Sequence, residues 1–78
     1  MKAVLNVQVR NFATGSVTNN SVKFDVFIRI YHNNEFEVVE NSVKFKLKSS
    51  KHKWIYISLD DWQRFLQWRR MRVLDLLV

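Results

Sequence analysis

The chain has 78 residues, with 13 Lys and Arg against 7 Asp and Glu, which gives a formal net charge of +6. It contains no cysteine, so disulfide bonds, zinc fingers and thiol chemistry are excluded. Hydrophobic residues make up 47% of the chain and aromatic residues 14%, which excludes a disordered basic tail. The apolar runs fall far short of the ~20 residues of a membrane span, and the first residues do not resemble a signal peptide. These features predict one small basic domain, cytoplasmic or nucleoid-associated and not secreted.

Apolar residues alternate with polar ones along most of the chain, which predicts an antiparallel sheet of four strands. The stretch from Asn11 to Ser21 is predicted to be a loop, because it contains Gly15 and Asn19-Asn20. The parity of the alternation flips between Glu40 and Ser42, and the pattern leaves open whether a bulge or a short turn lies there. The predicted strands are residues 2–10, 22–32, 36–48 with the break near 40–42, and 54–59.

The last two strands predict a hairpin whose two faces are both self-consistent. A five-residue turn from Ser49 to Lys53 places apolar residues opposite apolar residues on one face, and lysines opposite aromatic residues on the other. The predicted pairs are Leu47–Ile55, Phe45–Ile57 and Val43–Leu59 on the first face, and Lys48–Trp54 and Lys46–Tyr56 on the second.

One C-terminal helix is predicted over residues 60–77, with Asp60 as its N-cap. One apolar stripe of this helix would cover a face of the sheet, which gives an α+β domain of four strands followed by one helix. A second apolar stripe predicts a homodimer joined through the helix, since a single small sheet cannot cover it. The alternative is a fraying helix end with Trp68 partly exposed. The predicted dimer interface consists of Trp68, Met71, Leu74 and Val78.

The face of the sheet that the helix does not cover is predicted to be basic and to carry aromatic side chains. Lysines neutralise phosphates, and aromatic rings stack on the exposed bases of a single strand. Together they predict a site for single-stranded nucleic acid. Whether Arg10 of the first strand belongs to the same surface is left open. The predicted binding residues are Lys23, Phe27, Arg29, Tyr31, Lys44, Lys46, Lys48, Lys51, Lys53, Trp54 and Tyr56.

Other interpretations of the same residues remain open. Lysines on strands also keep a protein soluble or protect the edge of a sheet, and a subunit interface could bury the aromatic residues. A second function is a small protein-interaction module or inhibitor, of phage or viral type, that presents its lysines to an acidic partner protein. Membrane binding is not favoured, because the helix arginines scatter around its axis.

The sequence contains no pattern that indicates catalysis, a metal site or a cofactor. His32 and His52 have no acidic neighbour in the sequence and no cysteine to complete a metal site. Asp60 and Asp61 suit the N-terminus of a helix, and no glycine-rich phosphate loop or catalytic triad is present. The chain is therefore predicted to be a binding protein and not an enzyme.

Two segments carry a resemblance to a known family. Val26 to Tyr31 alternates and ends in charged and aromatic residues, and Ile57-Ser58-Leu59 is followed by two acids and Trp62. With the order of four strands and a helix, these segments resemble the single-stranded-DNA-binding domain of the positive cofactor 4 family of transcriptional coactivators. The resemblance covers about the last two thirds of the chain. It implies a dimer joined largely through the C-terminal helices, with basic strands that hold single strands. The chain is predicted to bind single-stranded nucleic acid with little sequence preference, in support of replication, recombination or transcription.

Overall fold

The computed structural model describes residues 3–77, and it describes side chains for residues 3–71. Within that range the chain forms an α+β domain of five strands and two helices. The elements are β1 (Val4–Asn11), β2 (Val17–Lys23), α1 (Phe24–Asn33), β3 (Glu35–Val39), β4 (Ser42–Lys46), β5 (Lys53–Ser58) and α2 (Leu59–Leu77).

The strands form an antiparallel sheet in the order β2-β1-β5-β4-β3. The chain leaves β2 at one edge and must reach β3 at the other, which is four strand spacings or about 19 Å away. Helix α1 covers most of that distance, because ten helical residues are about 15 Å long. Asn34 ends this crossing: its side chain donates to the Ile30 carbonyl at 3.1 Å and accepts from the Lys48 amide at 2.8 Å.

The core lies between one face of the sheet and the two helices that the described residues contain. Large aromatic rings fill it: Phe65 of α2 lies 4.9 Å from Phe27 and 5.7 Å from Phe24, measured between ring centroids. Phe27 also lies 5.3 Å from Phe45 of β4. The buried core residues are Leu5, Val7, Phe24, Phe27, Val43, Phe45, Ile55, Ile57, Trp62 and Phe65.

The prediction of four strands and one helix was wrong at residues 22–32. Most of this segment is helix α1, and only Val22 and Lys23 belong to a strand. Phe24 and Phe27 are one helical turn apart, so α1 directs both rings into the core. The predicted loop from Asn11 to Ser21 contains most of β2, a polar edge strand without the apolar alternation of a buried strand.

The third predicted strand is a hairpin, β3 and β4, joined by a short turn at Glu40-Asn41, which resolves the question of bulge or turn. The hairpin of β4 and β5 is present with its faces as predicted, but its register is shifted by two residues. The observed pairs are Phe45–Ile55, Val43–Ile57, Lys46–Trp54 and Lys44–Tyr56. The shift arises because the innermost pair is Lys46–Trp54, so that seven residues, 47–53, lie between paired positions where five were predicted.

Helix α2 begins one residue before the predicted boundary. The Ser58 hydroxyl accepts from the Asp61 amide at 3.3 Å, so Ser58 has the capping contact that was predicted for Asp60. Asp61 also accepts from the Asn6 amide of β1 at 3.0 Å and pairs with Arg64. These contacts hold the start of α2 against the sheet.

The predicted dimer interface on α2 is changed by the presence of α1. The Trp68 ring lies 5.4 Å from Phe24 and stacks on Phe65 at 5.9 Å, so it packs within the chain. Met71 is exposed. Leu74 lies outside the residues whose side chains are described, and Val78 lies outside the described residues altogether. Part of the second apolar stripe of α2, at Trp68, therefore packs against α1 of the same chain.

Candidate nucleic-acid interface

The uncovered face of the sheet has aromatic residues at its centre. Trp54 and Tyr56 are two residues apart on β5, and their rings point away from the core that Ile55 and Ile57 enter. Strands β1 and β4 flank β5 and place Arg10 and Lys46 opposite Trp54, and Lys44 opposite Tyr56. We call Arg10, Lys44, Lys46, Trp54 and Tyr56 the basic–aromatic face.

Cations lie over both rings of the basic–aromatic face. The Arg10 guanidinium carbon is 4.0 Å from the centroid of the Tyr56 ring, and Lys44 Nζ is 4.2 Å from the Trp54 ring. Both contacts join diagonal neighbours on adjacent strands, which long side chains can reach. Lys46 Nζ is 6.0 Å from the ring of Trp54, the residue directly opposite it on β5. Positive charge and ring surface thus occupy the same small area.

Two polar neighbours hold these cations in place. Gln8 accepts from Arg10 Nε at 2.7 Å, and Glu37 of β3 pairs with Lys44 Nζ at 2.9 Å. The hydrogen bond to Glu37 raises the pKa of Lys44 above its ordinary value, and burial opposes this effect only in part. Lys44 is therefore fully charged at neutral pH, and Glu37 is the anion that a phosphate would have to displace.

Phe12 extends the basic–aromatic face toward the turn between β4 and β5. Its ring meets Trp54 edge to face, with centroids 6.1 Å apart at 86°, and 58% of Phe12 is exposed. Its amide donates to the His52 carbonyl at 2.8 Å, which ties the turn after β1 to the turn before β5. Phe12 is not among the residues predicted from the sequence, although the alternation continued past Arg10 places it on this side.

The predicted binding residues lie in four places in the structure: the basic–aromatic face, the turn beside it, the end of β2, and α1. Lys44, Lys46, Trp54 and Tyr56 share the basic–aromatic face, and Arg10, which had been left open, joins them. Lys48, Lys51 and Lys53 lie in or beside the turn at one end of this face and are exposed. Lys23 is exposed at the last position of β2, opposite Val4 and at the far end of that strand from the residue that pairs with Arg10.

The other three predicted residues lie on α1 and not on the uncovered face. Phe27 is fully buried in the core, so its predicted outward orientation was wrong. Tyr31 packs on the helix side, 5.5 Å from Phe65 and 5.8 Å from Trp62, and Arg69 lies over its ring at 4.8 Å. Arg29 is exposed on the same helix. None of the three can share a ligand surface with Trp54 across the thickness of the domain.

No family model, curated protein or solved structure matches the chain. The resemblance to the positive cofactor 4 family therefore stays a prediction, and its first segment, Val26 to Tyr31, lies in α1 and not in a strand. Among the described residues, no helix is long and apolar enough to span a membrane. In the same part of the chain, His, Asp and Glu side chains form no cluster of three or more that could hold a metal ion.

Proposed function

We propose that this chain binds single-stranded nucleic acid with little sequence preference, through the basic–aromatic face. DNA is placed ahead of RNA on the strength of the family resemblance alone. The observation that carries the proposal is the succession of Trp54 and Tyr56 along β5, with cations from both neighbouring strands lying over the rings. Rings that follow one another along a strand offer faces for successive bases, and cations beside them can contact the phosphates.

The cations over the rings must move before a base can stack there, and the magnitudes favour that exchange. A cation–π contact at an exposed site contributes about 0.5–1 kcal/mol. A base stacked on an aromatic ring contributes about 1–3 kcal/mol, and a displaced cation gains a phosphate partner. Lys44 and Arg10 are long enough to turn aside without leaving the face. Duplex DNA would not benefit in the same way, because its base faces are already stacked.

The same observation supports a second candidate function. In the absence of a ligand, the outermost groups over Trp54 and Tyr56 are the cations of Lys44 and Arg10. A surface that presents cations above aromatic rings also suits carboxylates of an acidic protein, which would bind without displacing them. A small interaction module or inhibitor of phage or viral type would use the face in this way.

The test is fluorescence anisotropy with a labelled oligo-dT of about 20 nucleotides and a mixed-sequence duplex of equal length, each at low and moderate salt. We expect tighter binding of the single strand, with an affinity only partly lost as salt is raised. Replacing both Trp54 and Tyr56 by alanine should weaken binding by about 1–3 kcal/mol per ring. Phe36→Leu is the matched control, because Phe36 is an exposed aromatic residue that packs on the helix side of the sheet.

The two candidate functions give different results in this assay. If the double alanine variant binds oligo-dT as tightly as the parent protein, base stacking is refuted. If the single strand and the duplex bind with equal affinity and raised salt abolishes the binding of both, binding depends only on the positive charge of the surface. The acidic protein partner then becomes the better explanation.

A further inference from the structure

The edge strands β2 and β3 differ in how they are protected against pairing with another chain. The outer backbone groups of an edge strand are a template for another strand, and charged residues, proline or bulges normally prevent such pairing. Strand β3 has this protection, since Glu35 and Glu37 lie in it and Glu40 follows it. Strand β2 reads VTNNSVK, and its pairing with β1 runs without a bulge. Only its last residue, Lys23, is charged.

The side chains of β2 are compatible with pairing to a second copy, and those of β3 are not. When two copies of β3 pair about Glu37, that carboxylate lies opposite itself, and like charges directly opposite each other are destabilising. Antiparallel pairing of β2 over its full length puts Asn20 on a twofold axis. The resulting pairs are Asn19 with Ser21, Thr18 with Val22, and Val17 with Lys23, which bring no like charges together.

The backbone of β2 is compatible with the same register. Just outside the two ends of β2, the Ser16 carbonyl accepts from Asn11, and the Phe24 amide donates to Ala3, at 2.9 and 2.8 Å. Even-numbered positions therefore bond toward β1, and because bonding direction alternates along a strand, the odd-numbered positions of β2 point outward. In the register centred on Asn20, odd positions meet odd positions, so the outward groups of both copies meet.

We propose that a second copy of this chain pairs with the outer side of β2, antiparallel and about a twofold axis at Asn20. The two sheets become continuous, and their uncovered faces lie side by side. Lys23 of the partner subunit then lies opposite Val17, whose own neighbour on β1 is Arg10, two strand spacings or about 10 Å away. Val17, 56% exposed in one copy, gains a neighbour.

The pairing of the two copies does not depend on the proposed function, but its consequence for binding does. In a single copy, Lys23 lies at the wrong end of β2 to act together with Arg10. In the pair, each basic–aromatic face gains the partner subunit's Lys23 at its border. The second copy thus adds a cation to a site that otherwise ends at the uncharged Val17 end of β2.

Single cysteines test the register directly, because the chain has no cysteine of its own. Asn20→Cys places two thiols opposite each other across the axis, at a separation that a disulfide can bridge. We expect it to form a covalent dimer under mild oxidation. Glu37→Cys on β3 and Met71→Cys on the exposed side of α2 are the matched controls, and we expect both to stay monomeric on a non-reducing gel. Cross-linking of either control in place of Asn20→Cys overturns the proposal.

Sedimentation without nucleic acid provides the second measurement. The parent protein should have twice the 9.4 kDa chain mass, and Asn19→Pro should return it to the monomer. Proline at this outward position removes a donor to the second copy and leaves the bonds to β1 in place. Circular dichroism checks that the variant is folded. A parent protein that sediments as a monomer at micromolar concentration refutes the pairing, whatever the outcome with oligonucleotides.

A test of the role of Lys23 combines two substitutions, Lys23→Gln and Asn19→Pro. Lys23→Gln should weaken oligo-dT binding several-fold in the parent protein and have no effect in the Asn19→Pro background. An equal loss in both backgrounds contradicts the assignment of Lys23 to the partner's site. If neither protein binds oligo-dT while Asn20→Cys still cross-links, the proposed function fails and the pairing stands.

Discussion

The two faces of the sheet use aromatic residues in different ways. On the covered face, rings contact rings: Phe65 meets Phe24, Phe27, Tyr31 and Trp62, and it has no exposed surface. On the uncovered face, the rings of Trp54 and Tyr56 meet cations and keep part of their surface open to solvent. The rings of the covered face stabilise the fold and are not available to a ligand. The rings of the uncovered face can exchange their cation partners for a ligand, so a binding site is expected there.

The largest expected effect tests the structural half of this comparison. Phe65→Ala should lower the free energy of unfolding by about 3–5 kcal/mol, because it empties the centre of the ring cluster. A chain of this length has a total stability of about 4–12 kcal/mol, so most of it could be lost. Urea denaturation measures the change. Trp54→Ala is the matched control and should lose about 1–2.5 kcal/mol, the sum of its cation–π and edge-to-face contacts. Equal losses in the two variants would contradict the distinction between the faces.

The next prediction concerns Phe12, which extends the uncovered face. Phe12→Ala should weaken oligo-dT binding by about 1 kcal/mol, the lower end of the range for one stacked base, because the ring touches Trp54 only by an edge. Unfolding should change little, since the side chain is largely exposed. Val38→Ala is the control, an equally exposed apolar residue on β3. If Phe12→Ala and Val38→Ala bind alike, Phe12 does not belong to the interface.

The uncovered face could be predicted from sequence because alternation on β4 and β5 has only one interpretation. Lys44, Lys46, Trp54 and Tyr56 alternate with residues that are all apolar, so any register that buries the apolar set exposes the others. The observed register differs from the predicted one by two residues, and the faces are unchanged. A shift of two preserves parity, which is why the error in turn length did not affect these residues.

The helix α1 on the covered face could not be predicted in the same way, because residues 22–32 satisfy two periods at once. Phe24, Phe27, Ile28 and Tyr31 follow the helical spacing, while Val22, Phe24, Val26, Ile28 and Ile30 follow the strand spacing. The β-branched residues favour the strand, and tertiary structure decides for the helix. The chain must cross the sheet from β2 to β3, and Phe24 and Phe27 are needed on one side of that crossing to fill the core.

Salt dependence separates cations on the uncovered face from those elsewhere. Lys46→Gln should reduce the slope of log affinity against log salt by about 0.7, the value for one phosphate on a single strand. Arg29→Gln, at an exposed position of α1, removes the same charge and should leave the slope unchanged. Anisotropy titrations at several salt concentrations give both slopes. Equal slopes for the two variants would mean that net charge, and not the position of the cation, governs binding.

The smallest expected effect tests the boundary between the basic–aromatic face and the acidic strand β3. Glu37→Gln frees Lys44 from its 2.9 Å ion pair, so a phosphate no longer competes with a carboxylate. Exposed ion pairs are weak, so oligo-dT affinity should rise only slightly, by at most about fivefold.

The Lys44 pKa supplies an independent check on that variant. The hydrogen bond to Glu37 holds the pKa above its ordinary value, and without the carboxylate it should fall back toward that value. NMR titration of the Lys44 side chain at alkaline pH measures the change. Because Lys44 is fully protonated at neutral pH in both proteins, any gain in affinity there comes from the released cation and not from a change in its charge. Glu40→Gln, in the turn after β3, is the matched control for the loss of one acidic charge. If Glu40→Gln raises affinity as much as Glu37→Gln, the effect is one of net charge, and the ion pair between Lys44 and Glu37 does not regulate access to the Trp54 ring.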